Sequence, residues 1–261
     1  MQVIRKRRLM TVVLAAAAVA VTTAARTQSA VPRTPSAASR LPFGSGERAE
    51  YQVKLGAVSV GSGSVEVLGI ETVHGAPTFH ARMRVSGGLP LARVDDRYDS
   101  WIDVEGIFSR RFHQDVHEVR YNRKRSYDFD VARRTWRRTD GSDDTGVLTT
   151  SEPLDDLSFM YFARTLPLKV GDQYRLNRYF KESGNPVILR VVRRETVSVP
   201  AGRFNTVVVA PSIRTSGLFA EGGRAEIFFT DDDRHIPVLI KSRVPLVGSL
   251  TMALKTYRAG N

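Results

Sequence analysis

Hydrophobic and polar residues alternate with a period of two along most of the chain from Glu47 onward. In the first such stretch the apolar residues are Ala49, Tyr51, Val53 and Leu55, with charged or polar residues between them. This pattern is typical of a β-strand with one buried and one solvent-exposed face. It recurs in short runs separated by turn residues. The chain is therefore predicted to be all-β, with about 12 strands in an antiparallel β-barrel or a strongly curved, open barrel-like sheet.

One segment follows a helical period instead. Between residues 154 and 166, Leu157 and Tyr161 recur at helical spacing, and a proline follows. Asp155 or Asp156 is placed to cap the N-terminus of this helix. We expect it to be the one short helix of the folded part.

Three connections between strands are predicted from their turn residues. Gly56–Gly63 is expected to be a Gly/Ser-rich turn. Glu182–Asn185 is expected to be a hairpin turn directly after a strand that runs to Phe180. Val199–Phe204 is expected to be a tight connection between two long strands.

Residues 1–25 have the three-part pattern of a secretory signal peptide. Four basic residues precede an apolar stretch from Leu9 to Val21, and small residues follow near Ala25. The alternative is a single membrane anchor, but this stretch is short for a span and rich in alanine. We expect cleavage near Ala25 and export to the periplasm. Residues 26–41, rich in Ser, Ala, Pro and Arg, are predicted to be a disordered linker, and 42–261 a single β-rich domain.

The amino-acid composition excludes several kinds of catalytic and structural site. The chain has no cysteine, which excludes a disulfide framework, a thiol nucleophile, a cysteine-ligated metal and a lipoprotein anchor. The net charge is +12, and removal of residues 1–25 with their four basic residues leaves 35 − 27 = +8. An excess of positive charge affects which partners the protein attracts, but it does not predict the fold.

Several stretches resemble a bacterial exported family known as domain of unknown function 3108. They begin with the motif Pro42–Glu47 and include Asp155–Asp172, Val197–Pro211 and Asp231–Leu250, so that the likeness covers about 42–258. It implies a mostly β envelope protein of Gram-negative-type bacteria, with no assigned chemistry. An open β-barrel around a helix is also similar to the lipoprotein localisation carriers, but a likeness of fold transfers no function.

Candidate catalytic and metal-binding groups are few. His113, Asp115 and His117 share a strand face, but the two histidines are too far apart to share one ion on a straight strand. The acidic cluster Asp95, Asp96 and Asp99 beside Trp101 is the one place where paired carboxylates could act on a sugar, and a solvent-exposed strand face is the simpler interpretation. No nucleophile elbow or phosphate loop is present in the sequence. We expect no metal and no cofactor. Whether the protein is an enzyme is left open, although the lack of a catalytic motif in the sequence argues against it.

A run of basic residues is interleaved with aromatic ones. Its members are Arg120, Arg123, Lys124, Arg125, Arg133, Arg134, Trp136, Arg137 and Arg138. Because export argues against nucleic acid, the expected partners are a lipid, a glycolipid or an acidic glycan of the envelope, with peripheral membrane contact. The simpler interpretation is that arginine is this chain's preferred cation, since it has 32 Arg and 7 Lys.

Two functions of different class follow from these patterns. The first is a periplasmic binding or carrier domain for a lipid or other amphiphile, with a cavity lined or gated by Phe159, Met160, Tyr161 and Phe162. In the alternative interpretation the interior is a solid core, and the protein is a structural or assembly module of the envelope whose sheet edges and basic face engage protein partners. A glycan-acting enzyme is a distant third.

Overall fold

A computed structural model describes residues 41–89, 92–118, 121–212, 224–244 and 248–261. The predicted signal peptide 1–25, nearly all of the predicted linker 26–41 and Arg120 lie outside these described residues. The elements are, in chain order, β1 Arg48–Leu55, β2 Val58–Val73, β3 Ala76–Leu89, β4 Ala92–Asp103, β5 Ser109–Glu118, β6 Tyr121–Asp130, β7 Thr135–Arg138, β8 Thr145–Val147, α1 Ser158–Arg164, β9 Gln173–Leu176, β10 Val187–Val199, β11 Gly202–Ser212, β12 Arg224–Thr230, β13 Pro237–Val244 and β14 Gly248–Arg258.

The strands form one antiparallel sheet of 14 strands. Its order is β8-β7-β6-β5-β4-β3-β2-β1-β14-β13-β12-β11-β10-β9. Strands that are consecutive in the chain are therefore neighbours in the sheet, except for β8 and β9, and the first strand β1 pairs with the last strand β14. β8 and β9 are the edge strands, and no ladder joins them within the described parts of the chain. The prediction of an open, barrel-like, all-β sheet is confirmed, with two strands more than the estimate. The three-residue β8 is too short for a period of two to be recognised.

The sheet has two faces of different character. The inner face packs against α1 and carries the aromatic core residues Phe112, Tyr127 and Phe129, all of them fully buried. The outer face carries the alternate residues, which are mostly charged, such as Asp99 and Asp128. This division follows directly from the strand alternation.

The segment between β8 and β9 crosses the inner side of the sheet. Ser109 N–H donates to the Pro153 carbonyl over 2.7 Å, and Leu154 forms a parallel bridge with Tyr179. α1 then lies against the core with Phe159 and Tyr161 fully buried. None of the helices in the described ranges is long and apolar enough to cross a membrane.

Two of the predicted connections differ from the structure. Gly56–Gly63 is not a turn, because β2 begins at Val58 and runs through the glycines. Gly61 serves close strand approach instead, since a Cβ there would lie 2.1 Å from the Ser86 carbonyl oxygen.

The predicted strand to Phe180 is also wrong. β9 ends at Leu176, and residues 177–186 form a loop with a short 3-10 turn at Glu182–Gly184 before β10 begins. The tight connection before Phe204 is confirmed, because only Pro200 and Ala201 separate β10 from β11.

Candidate functional site

The inner face is only partly covered. Met83 and Val85 of β3 and Leu250 of β14 pack against the core, yet each is only half-buried. Half-exposed apolar side chains on a concave surface are the usual wall of a small-molecule site.

Basic and aromatic side chains lie on the same face, on β6 and β7 and in the loop 177–186. We call this group the inner basic site, and its members are Arg123, Arg125, Tyr127, Trp136 and Lys181. Arg125 is paired in register with Gln114, and Tyr127 with Phe112, which places both on the inner face. Trp136 is paired with the core residue Phe129.

Lys181 is held in place by aromatic rings. Its Nζ donates to the Tyr127 hydroxyl over 3.1 Å. The same atom lies 5.0 Å from the centre of the Tyr127 ring, 5.5 Å from that of Phe180 and 5.6 Å from that of Trp136. Cation–π attraction therefore fixes an ammonium group on the inner side of the sheet. The loop that carries Lys181 was predicted as a strand and turn, so no pattern in the sequence pointed to this residue.

Asp156 is the acidic group beside these cations. The Gln114 side-chain amide donates to it over 3.0 Å, and the Tyr179 hydroxyl over 3.1 Å. Burial, with a smaller effect from the charge of Asp155, raises the pKa of Asp156 to about 6. The Tyr179 hydrogen bond and the positive charges of Arg123 and Lys181 oppose that rise. Asp156 therefore changes its charge close to neutral pH within reach of the cations.

The predicted basic run is divided between the two faces of the sheet. Arg123, Arg125, Trp136 and Arg138 lie on the inner face, Lys124 and Arg137 on the outer face, and Arg133 and Arg134 in the turn between β6 and β7. Alternation along a strand sends neighbouring side chains in opposite directions, so that a continuous run in the sequence cannot form one surface.

Most of these arginines are already bound within the protein. Arg133 pairs with Asp130 over 2.8 Å, and Arg138 with Asp140 over 2.8 Å. Arg137 lies 3.5 Å from Asp128 in an outer cleft of about 410 Å³ that also includes His74. His74 contacts the same Asp128 over 3.0 Å, so the charges in this cleft largely satisfy one another.

The aromatic residues of α1 belong to the core. Phe159 and Tyr161 are 0% exposed and Met160 is 2% exposed. Phe162 is half-buried, with the Arg178 guanidinium 4.4 Å from the centre of its ring. The role of these four side chains in lining or gating a cavity stays a prediction.

The acidic cluster considered for sugar chemistry is split between the two faces of the sheet, and Asp99 is engaged in ion pairs. Asp99 lies on the outer face, whereas Asp96 lies on the inner face and accepts from the His117 backbone N–H. Burial would raise the pKa of Asp99, but hydrogen bonds from His80 and Arg82 over 2.8 and 2.6 Å outweigh it and hold that pKa below its usual range. An ionised, fully hydrogen-bonded carboxylate is poorly placed to donate a proton.

The outer-face network continues to Trp101. His80 bonds Glu71 over 2.7 Å, the Trp101 indole donates to the same carboxylate over 2.7 Å, and the His80 and Trp101 rings stack at 4.4 Å. His113 bonds Ser126, and His117 lies 3.5 Å from Asp115. Within the described residues no group of three or more His, Asp or Glu side chains could hold a metal ion.

One similar solved structure supports the fold. A β-barrel-like protein of the domain of unknown function DUF1849 from Brucella abortus superposes with a TM-score of 0.53 at 10% identity, over 85% of this chain and 100% of that one. The hypothetical protein CT021 from Chlamydia trachomatis gives a TM-score of 0.39 at 9% identity, over 84% of this chain and 89% of that one.

No curated protein sequence matches the chain. Residues 50–255 match the family described as "Protein of unknown function (DUF3108)". That match covers most of the sheet, from β1 to β14, and includes α1. The chain therefore belongs to the DUF3108 family.

Proposed function

We propose that the protein is a periplasmic binding or carrier domain for an anionic amphiphile, namely a lipid or glycolipid with an acidic headgroup. The observation that supports this most is the inner basic site. Arg125 and Lys181 lie on the same face of the sheet as the half-exposed apolar residues Met83 and Val85. A binding site for an anionic amphiphile requires both apolar and basic residues, because the hydrocarbon chain favours apolar contact and the headgroup favours fixed cations.

The proposal includes the compartment. The basic and apolar pattern of residues 1–25 supports export, and the absence of cysteine argues against a lipid anchor on the mature chain. In the periplasm the acidic amphiphiles within reach are those of the two membranes, so peripheral membrane contact is part of the proposed function.

The test is native mass spectrometry, with organic extraction, of the protein purified from the periplasm of its own bacterium. We expect a co-purifying amphiphile of defined mass with an acidic group. The matched variant Arg125→Gln/Lys181→Gln, purified in the same way, should lose it. A clean ligand-free mass of the unaltered protein across several gentle preparations would contradict the proposal.

A second candidate is an envelope assembly module that pairs a partner strand with β8. β8 is an edge strand, and its Val147 side chain is 71% exposed. Exposed sheet edges are sites of strand addition. A photoreactive residue in place of Val147 should then cross-link a discrete protein, whereas one in place of the exposed Ile70 on the interior strand β2 should not. Equal or no cross-linking at the two positions would argue against this candidate.

A further inference from the structure

We infer that Arg125 and Lys181 together bind a phosphate group, and that this pair selects the headgroup of the amphiphile. The inference rests on the function proposed above and adds the chemical class that the inner face recognises. It is carried by two cations that the fold holds on one face and that form no salt bridge with a described carboxylate. Asp156 is close enough to Lys181 for their charges to interact, but its carboxylate is hydrogen-bonded to Gln114 and Tyr179.

Lys181 is the first of these cations. Its contacts with Tyr127, Phe180 and Trp136 use a single N–H donor, the one bonded to the Tyr127 hydroxyl. No described carboxylate forms a salt bridge with it. Two donors of the ammonium therefore stay available on a side chain whose position is already fixed, which lowers the entropy cost of binding.

Arg125 is the second cation. It lies two residues before Tyr127 on the same face of β6, at a separation of about 7 Å along the strand. Its side chain is half-buried, and it makes no hydrogen bond or salt bridge with another described residue. The planar guanidinium presents paired N–H donors that match the geometry of phosphate oxygens.

The lack of a salt bridge with a described carboxylate distinguishes Arg125 and Lys181 from Arg137 and Arg138. Arg138 on the same face is paired with Asp140 and Asp144, and Arg137 on the other face with Asp128. A phosphate monoester carries nearly two negative charges and three terminal oxygens, so one such group can neutralise both cations and accept from each. A neutral sugar headgroup can accept hydrogen bonds through its hydroxyl groups, but it cannot neutralise the two cations.

Isothermal titration calorimetry of the protein at pH 7.5 tests this with three probes. They are dodecyl phosphate below its micelle concentration, inorganic phosphate and the neutral dodecyl maltoside. The variants are Arg125→Gln and Lys181→Gln, and the matched controls are Arg175→Gln and Lys169→Gln, which alter exposed cations elsewhere. Circular dichroism establishes that each variant is folded.

We expect dodecyl phosphate to bind the unaltered protein and to bind each test variant at least tenfold more weakly, with both controls within twofold. Because Lys181 packs on three rings and its loss could disturb them, Arg125→Gln is the decisive variant. Unchanged affinity for dodecyl phosphate in folded Arg125→Gln overturns the inference.

The three probes separate the inference from the proposed function. If dodecyl maltoside binds as tightly as dodecyl phosphate, the phosphate inference fails and amphiphile binding stands. If inorganic phosphate binds as tightly as dodecyl phosphate, the phosphate site stands and amphiphile binding fails. If none of the three binds, both fail.

Discussion

The Arg164 guanidinium lies in the core, where an unpaired charge would be very costly. It donates to the two carboxylate oxygens of Glu47 over 2.6 and 3.0 Å and to the Pro42 carbonyl over 2.7 Å. Glu47 also accepts from the Tyr257 hydroxyl over 3.0 Å. The pair thus links α1 to the chain just before β1 and to β14. The sequence placed Arg164 in the predicted helix, but helical spacing alone does not reveal its buried partner.

Glu47→Gln is expected to lower the free energy of unfolding by about 3 kcal/mol, because it leaves the buried Arg164 without a counter-charge. Urea unfolding measures this. The control is Glu50→Gln, which removes an exposed partner of Arg48 and should leave stability close to that of the unaltered protein. Equal effects of the two substitutions would show that the buried pair has no special role.

Asp156 makes stability depend on pH. The unfolded chain releases this proton near pH 4, and the folded protein releases it near pH 6, because burial raises the pKa of Asp156 to about 6. Stability from this group is therefore fully present below about pH 4 and is lost as the pH rises through about 6. At about 1.4 kcal/mol per pKa unit, the loss is at most about 3 kcal/mol.

Asp156→Asn removes the loss of stability that accompanies ionisation of Asp156. The free energy of unfolding of the variant should therefore equal that of the unaltered protein at pH 4 and exceed it at pH 7.5. Urea unfolding at a series of pH values gives the difference. The control is Asp143→Asn, at an exposed turn position. Its free energy of unfolding should match that of the unaltered protein at every pH. A difference for Asp156→Asn that does not vary with pH would mean that its carboxyl titrates normally in the folded protein.

At the scale of elements, α1 depends on Asp155. One oxygen of this buried carboxylate accepts from the backbone N–H groups of Leu157 and Ser158 over 2.8 and 2.7 Å, and the other accepts from the Ser100 hydroxyl over 2.6 Å. The carboxylate therefore caps the first turn and attaches it to β4. The sequence allowed either Asp155 or Asp156 as the cap. In the structure the N-cap residue of α1 is Leu157, and it is the Asp155 carboxylate that accepts from the backbone N–H groups at the start of the helix.

Asp155→Ala should lower the free energy of unfolding by about 3 kcal/mol, because three buried donors lose their acceptor. Thermal and urea unfolding measure it, with Asp143→Ala as the control at a position outside the core. A loss below about 1 kcal/mol would indicate that α1 is held by its apolar contacts alone.

The strands were predictable where one face of the sheet is buried and the other exposed. β1 shows this, since Ala49, Tyr51 and Val53 are buried and their neighbours are half-exposed. β2 was harder, because Gly61 and Gly63 resemble turn residues and their role in strand packing depends on the neighbouring strand β3.

The candidate site could be predicted only in part. Arg123, Arg125 and Trp136 were identified as basic and aromatic residues, but their common face became clear only from the register of β5, β6 and β7. Lys181 was missed, since the loop that carries it meets β6 through tertiary packing with no counterpart in local periodicity.

At the scale of the whole molecule, the open sheet leaves room for both a solid core and the proposed binding surface. α1 and the segment before it fill one part of the inner side, where Phe159 and Tyr161 are fully buried. The inner face beyond them keeps half-exposed apolar residues next to Arg125 and Lys181. A closed barrel filled by side chains would offer no such surface.

The chain has two tryptophans, one on each face, which makes the central claim directly measurable. Trp136 belongs to the inner basic site and Trp101 lies on the outer face. Trp101→Phe leaves Trp136 as the sole reporter, and Trp136→Phe leaves Trp101, with binding by each variant established by calorimetry. We predict that dodecyl phosphate changes the emission of Trp136 saturably, at the concentrations where calorimetry detects binding, and leaves that of Trp101 unchanged. Unchanged emission of Trp136, or equal changes in the emission of Trp136 and Trp101, would contradict ligand binding at the inner face.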